Sequence, residues 1–222
     1  MSSEIKIKKI YRSRRRTIAL EITPLAELIV RAPYSIPEYK IFDFVNLKRA
    51  WILVKQKFVS ERLGKRKERK FLDGEEILFL GKPYPLKITA GAKIFLSDYL
   101  EFPGKFLKAP EKHLADWYRL NAKKIITERC EYFAEQMGLR YSALKINGAK
   151  KRLGSCSAAN SLNFTWLLLL APPRVIDYVV VHELSHIVIK NHSPRFWNEV
   201  SAFWPSYREE RKWLKENSCK LM

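Results

Sequence analysis

Four histidines occur in the 222-residue chain, and three of them, His182, His186 and His192, fall within eleven residues. The first two frame His182-Glu183-Leu184-Ser185-His186. Positions i and i+4 share a helix face, so both imidazoles can reach one ion. Neutral imidazole suits zinc, and three protein ligands leave a fourth position open to water. Zinc lowers the pKa of such a water towards neutrality and makes hydroxide available at physiological pH. Glu183, next to the first ligand, is placed to hold that water and accept its proton. The spacing therefore points to hydrolysis with one Zn2+ ion, metal ligands His182, His186 and His192, and Glu183 as the catalytic residue.

The third ligand rests on its own argument. His192 lies six residues after His186, a spacing that lets the chain leave the helix and turn back to the ion. Lys190-Asn191 is the expected break, because Asn tolerates the left-handed conformation that ends helices. His192 then precedes the N-terminus of the next helix, whose positive end keeps an imidazole neutral. Glu199 is the competing ligand, as in gluzincin-type sites. Spacing and ligand chemistry favour His192. The metzincin arrangement is excluded, because its glycine position is Ile189 here and the only later methionine is Met222.

Other reactive residues carry weaker arguments. Cys156, in Gly154-Ser155-Cys156-Ser157, could act as a nucleophile or a fourth ligand, but reads as a small residue in a tight turn beside the cleft. His113 has no partner in sequence and reads as an ordinary helix residue. Cys130 and Cys219 read as inert. Arg152, Tyr178 and Tyr207 are the nearest side chains able to steady a transition-state oxygen, and packing or surface charge explains each as well.

The elements that must position these residues follow from periodicity. Val175, Ile176 and Tyr178–Val181 run almost without interruption into His182, so the helix opened by Pro172-Pro173 is buried. Buried histidines and a glutamate need partners, and a metal with its water supplies them. Ser193-Pro194 opens the next helix, Pro205 interrupts it, and a short last helix runs to about Asn217. Upstream, a helix spans Glu111 to Met137 with Gly138 ending it. Leu144–Ile146 and Ser161–Leu170 read as strands. The first third alternates over Ile5–Ile10 and Thr17–Ile22, followed by Leu28–Val30. Pro37 then opens one long helix to about Lys70, with Ile41, Phe44, Val45, Ala50, Trp51, Val54 and Phe58 on one face. Glu76–Leu80, Pro85–Thr89 and Lys93–Leu96 read as short strands. The expected fold is α+β. Residues 1–106 form a strand-rich region with one long helix, and residues 107–222 form the metal-binding catalytic region.

Composition bounds the rest. Hydrophobic residues make up 47% and charged residues 29%, as in ordinary globular proteins. No apolar run reaches the ~18 residues of a membrane span. Met-Ser-Ser-Glu-Ile-Lys has no apolar signal core, and the three cysteines form no framework, so a reducing cytoplasm is expected. The net charge of +19 suggests an anionic partner, nucleotide or nucleic acid, on the Arg14–Arg16 and Lys65–Lys70 clusters.

A set of motifs resembles the YgjP-like metallopeptidase family. They are Lys151-Arg152-Leu153-Gly154-Ser155-Cys156-Ser157, Leu162-Asn163-Phe164-Thr165-Trp166, Leu170-Ala171-Pro172-Pro173, Ile176–His186, Asn191-His192-Ser193 and Phe196-Trp197. Arg31-Ala32-Pro33, Trp51-Ile52 and the Gly74…Leu80-Gly81-Lys82 segment extend the resemblance through the N-terminal half. Where the family more often has Asn-Trp-Arg, this chain has Thr165-Trp166-Leu167. The resemblance implies a zincin-like hydrolase related to SprT-like proteins, zinc on the same three histidines, and a peptide or protein substrate, which in zincin-like folds can pair with a strand near the active-site helix, here Ser161–Leu170. Two other functions fit the residues alone. One is a metal-dependent nucleoside triphosphate hydrolase. The other is a nucleic-acid-binding module with structural zinc, which requires a fourth protein ligand.

Overall fold

A computed structural model describes residues 5–23, 25–65, 69–150 and 152–221, without the side chains of residues 61–65 and 218–220. Most of the Lys65–Lys70 basic run and the Cys219 side chain therefore lie outside the described residues. Backbone contacts divide the chain into two units, Met1–Glu68 and Arg69–Met222.

In the first unit, β1 (Ile7–Ser13), β2 (Ala19–Ile22) and β3 (Leu28–Pro33) form a sheet of order β1-β3-β2. β1 runs parallel to β3, and β2 runs antiparallel to it. Alternation sends Leu28, Val30 and Ala32 to one face, where they are fully buried with Ile41, Val45 and Ile52. The helical region is two helices, α1 (Glu38–Leu47) and α2 (Arg49–Lys65), rather than the single expected helix. At Lys48 the backbone leaves helical geometry (φ −96°, ψ 12°), and its N–H is shared between the Phe44 and Val45 carbonyls. No Gly or Pro marks this break, so the hydrophobic pattern runs straight through it. The expected apolar face also differs: Trp51 and Val54 are 43% and 68% exposed.

The second unit begins with β4 (Glu76–Phe79), β5 (Lys82–Thr89), β6 (Phe95–Leu96) and β7 (Leu100–Pro103), in the order β4-β5-β7-β6. Leu80 and Gly81 both have positive φ, the geometry of a two-residue hairpin turn. Gly81 is required twice over, because a Cβ there would lie 2.8 Å from Pro172. This turn seats the hairpin on the segment that starts the histidine helix, and Leu80 N–H donates to the Leu169 carbonyl at 2.7 Å.

α3 (Pro110–Gln136) and α4 (Pro173–Val188) complete the core. Ile77, Phe79, Leu100 and Phe102 of the sheet share it with Leu114 and Ile126 of α3 and with Val180 of α4. The expected boundary at 106/107 thus cuts through one core, and the structure divides at 68/69 instead. The physical reason is that the β4–β7 sheet buries its apolar side chains with those of α3. Arg129 of α3 fixes α4 through a forked ion pair with Asp177, at 2.6 and 3.0 Å.

A third sheet comprises β8 (Ala143–Asn147), β9 (Gly154–Cys156) and β10 (Ser161–Thr165), in the order β8-β10-β9. The expected strand to Leu170 stops at Thr165. Trp166–Leu170 is a 3-10 turn, capped by the Thr165 hydroxyl accepting from Leu167 N–H. Its leucines Leu167, Leu168 and Leu169 are buried, and that burial, not strand pairing, accounts for their run. α5 (Pro194–Phe203) and α6 (Tyr207–Leu221) close the chain. α6 runs past the Asn217 expected from sequence. The α+β class expected from the sequence is the one observed.

Candidate metal centre

α4 is apolar nearly all round through Val181, which buries it, and the Asp177–Arg129 ion pair sets its rotation about its axis. That rotation brings His182 and His186 out on one face, as the i,i+4 spacing requires. The helix ends where Ile189 turns extended (φ −129°, ψ 106°). The break therefore lies one residue before Lys190-Asn191, and Asn191 does not adopt the left-handed conformation. Asn191 acts through its side chain instead, accepting from Ser193 N–H at 3.2 Å. Ser193 is the N-terminal cap of α5, and Pro194 is its first residue.

This turn returns His192 to the helix face. His192 Nε2 lies 3.1 Å from His182 Nε2 and 3.2 Å from His186 Nε2. The His186 Nδ1–H donates to the Ile189 carbonyl at 2.9 Å, which leaves its Nε2 as a bare lone pair. Lone pairs held this close repel one another unless a cation lies among them. Metal–nitrogen bonds of about 2.0–2.1 Å in a tetrahedral site place ligand nitrogens roughly 3.3 Å apart, close to what is seen. The residues present thus fit a metal ion, and among the described residues these three histidines form the one such group. Glu199 on α5 is not part of it, nor is Cys156.

Burial holds His182 down to about 3, with smaller contributions from His186, His192 and Arg211, so its ring is neutral and free to ligate. Burial also lowers His186, helped by His192 and Lys190, while its bond to Ile189 opposes the shift. The Nδ1 of His182 is buried without a partner among the described residues. Aromatic rings of α5 hold the imidazoles: Phe196 stacks on His186 at 4.4 Å, and Trp197 stacks on His192 at 5.7 Å.

Glu183 is 6% exposed. Burial raises its carboxyl to about 8, and the Arg152 charge pulls the other way. Above it runs β9, where a Cβ on Gly154 would come within 2.7 Å of Glu183 Cγ and Oε1. Gly154 is a site residue that the sequence reading passed over, although it lies inside the quoted Leu153-Gly154-Ser155 motif. Cys156 sits in β9 rather than in a turn, and burial raises its thiol. His113 stacks on Phe106 at 4.1 Å. Tyr178 is buried with its ring crossing that of His182 at 66°, and Tyr207 stacks on Trp197.

Lys190 is a second residue missed in the sequence. Its ammonium donates to the Asn160 side-chain carbonyl at 2.7 Å and to the Ser157 carbonyl at 3.2 Å. It thereby ties the loop bearing His192 to the turn between β9 and β10. Lys190→Met is expected to weaken metal binding by about three- to tenfold, the low end of outer-sphere effects because the site is exposed. Calorimetric titration with Zn2+ checks this, and unchanged affinity rules out the role.

Residues 16–217 match the YgjP-like, metallopeptidase domain. No curated protein sequence matches the chain. Among solved structures, the metallopeptidase zymogen of Methanocaldococcus jannaschii jannalysin is similar at 20% identity and a TM-score of 0.38, covering 41% of this chain and 95% of that one. The metallopeptidase zymogen of Pyrococcus abyssi abylysin is similar at 19% identity and the same TM-score, covering 41% and 93%.

Proposed function

The chain belongs to the YgjP-like metallopeptidase family, and from that premise we propose that it is a zinc-dependent peptidase in which His182, His186 and His192 hold one Zn2+ and Glu183 is the general base. The observation that carries this reading is the meeting of three imidazole nitrogens beside a buried glutamate on the same helix. A bound zinc ion supplies Lewis acidity, polarising a carbonyl and lowering the pKa of water. The rest belongs to the chain. Glu183 accepts a proton from the attacking water and delivers it to the leaving amine. Its burial makes the carboxylate a stronger base, and the Arg152 charge offsets part of that shift. Three protein ligands rather than four among the described residues favour a catalytic over a structural ion.

A peptide or protein substrate would lie along β9. β10 is paired on both sides, by β8 and β9, so it takes no further strand, contrary to the expectation for Ser161–Leu170. β9 is the sheet edge nearer α4 and can add an extended peptide. We place the enzyme in the cytoplasm. Among the described residues no helix is long and apolar enough to cross a membrane, and Cys130 and Cys156 are free thiols.

Zinc-loaded protein incubated with a denatured protein mixture is expected to release new peptide termini, read by mass spectrometry. Absence of any cleavage at full zinc occupancy would reject the peptidase reading. Gly154→Ala is expected to lower turnover about tenfold or more with zinc retained, because displacing a catalytic group by an ångström costs heavily. Turnover equal to wild type would show that the β9 backbone does not set the position of Glu183.

One observation favours a second reading, the hydrolysis of nucleoside triphosphates. Arg152 acts on Glu183, Arg211 on His182 and Lys190 on His186, so cations flank the site. Phosphates suit such surroundings. Glu183-dependent release of phosphate or pyrophosphate would move the assignment to this reaction.

A further inference from the structure

The unit Met1–Glu68 carries 17 basic residues against 7 acidic ones, more than half of the net charge of +19. Its sheet has one face turned to its own core and one turned outward. Lys9 and Tyr11 alternate onto the outward face, because Ile10 between them packs on the core. Tyr11 is paired across the sheet with Arg31 of β3.

Tyr11 is 40% exposed. The Lys9 ammonium lies over the ring, 5.0 Å from its centroid, and the Arg31 guanidinium lies over it at 5.2 Å. Glu21 holds Arg31 at 3.0 Å, so that cation is oriented and partly neutralised. Lys8 is likewise held by Glu27. Lys9, Arg14, Arg15 and Arg16 have no acidic partner among the described residues. Arg15 is half-buried, and its Nε–H has no acceptor. The three arginines follow directly on β1, so Arg16 lies within ~18 Å of Tyr11 along the chain. β2 then starts at Ala19, opposite Arg31, which keeps the loop at the same end of the sheet.

A part-exposed ring with long, flexible cations over it, beside a loop of unpaired arginines, has the make-up of a platform for an unpaired base that displaces a cation from the ring and draws it to the phosphates. We propose that this sheet face and the Arg14–Arg16 loop bind single-stranded nucleic acid. A base stacks on Tyr11, and phosphates meet Lys9 and the loop arginines. A duplex hides its base faces and cannot use the ring, and an acidic protein has no use for it as a stacking surface. The charge complementarity is with a polyanion whose flat groups are free.

The test uses the full chain and a fluorescein-labelled 20-nucleotide oligothymidylate, read by anisotropy. Saturable binding is expected at 50 mM salt, weakening as salt rises with a log–log slope of about −0.7 per phosphate contact. Tyr11→Ala is expected to weaken binding about tenfold, and Tyr11→Phe to stay within about twofold of wild type. Replacing both Arg14 and Arg16 with Ala is expected to flatten the slope by about 1.4. These loop residues are exposed, so the double variant carries the test if Tyr11→Ala does not fold. The proposal is overturned by an absence of saturable binding, by a folded Tyr11→Ala that matches wild type, or by a double variant with an unchanged slope. Equal affinity for a 20-base-pair duplex, or binding of anionic vesicles but not of the oligonucleotide, overturns it too. No hydrolysis is read, so failure here leaves the peptidase reading untouched.

Discussion

Glu183→Gln is expected to retain zinc while peptide turnover falls by about 10²- to 10⁴-fold, the usual worth of a positioned general base. The amide keeps the size of the carboxyl, so it fits the space left beneath Gly154, where even a methyl group would collide. What it loses is the ability to take a proton from water. The fold is not at risk. In the metal-free protein burial raises the Glu183 carboxyl from 4.5 to about 8. An acid whose pKa is raised on folding contributes its stability fully below the unfolded value and loses it as pH rises through the folded value. Wild-type apoprotein should therefore lose stability between about pH 5 and pH 8 through this group. Glu183→Gln does not titrate and should match or exceed it at pH 8. Metal content, melting curves at both pH values and peptide turnover together check the claim. Turnover near wild type, with zinc bound, would remove Glu183 from the mechanism and leave the three histidines to be explained by some other use of the ion.

The parts of this site that can be read along the chain are those set by local geometry. His182, Glu183 and His186 share one helix, whose burial is announced by Val179-Val180-Val181, so their convergence follows from a period of 3.6 residues. The limits of α3 are legible for the same reason, with Pro110 opening it and Gly138 (φ 63°) just past its end. What escapes is set by distant packing. Gly154 lies beneath no local signal, because its neighbour Glu183 is 29 positions away and only the seating of β9 on α4 brings them together. β9 itself has three residues, too few for an alternating pattern to register. The leucines after Thr165 read as strand because a buried 3-10 turn and a buried strand offer the same composition. Likewise Pro103-Gly104 and Pro110 have the composition of a domain boundary near 106/107. Those residues mark a turn within one core, where Phe79 and Phe102 before it pack with Leu114 and Ile126 after it.

His192→Ala is expected to lower zinc affinity by more than about 100-fold, beyond the range for residues outside the ligand sphere. Glu199→Ala is expected to bind zinc as wild type does. The contrast rests on where the chain goes after α4. Ile189 turns extended, the Asn191 side chain secures Ser193, and Pro194 starts α5, so the residue between them is aimed back at His182 and His186. Trp197 lies against the other side of that ring, itself under the Arg211 guanidinium at 4.4 Å, and holds the imidazole in place. Glu199 comes a full turn of α5 later, outside the group of converging nitrogens. Removing His192 leaves two ligands on one helix and two open positions, an arrangement that zinc leaves readily for water or a chelator. The expected difference also appears as stability. Zinc at 100 times its Kd adds ~2.7 kcal/mol to the folded state, so chelation should lower the wild-type melting temperature. It should do the same for Glu199→Ala and barely move His192→Ala. Loss of zinc from Glu199→Ala, with His192→Ala still loaded, would transfer the third ligand to α5 and require the loop after Ile189 to rearrange when the ion binds.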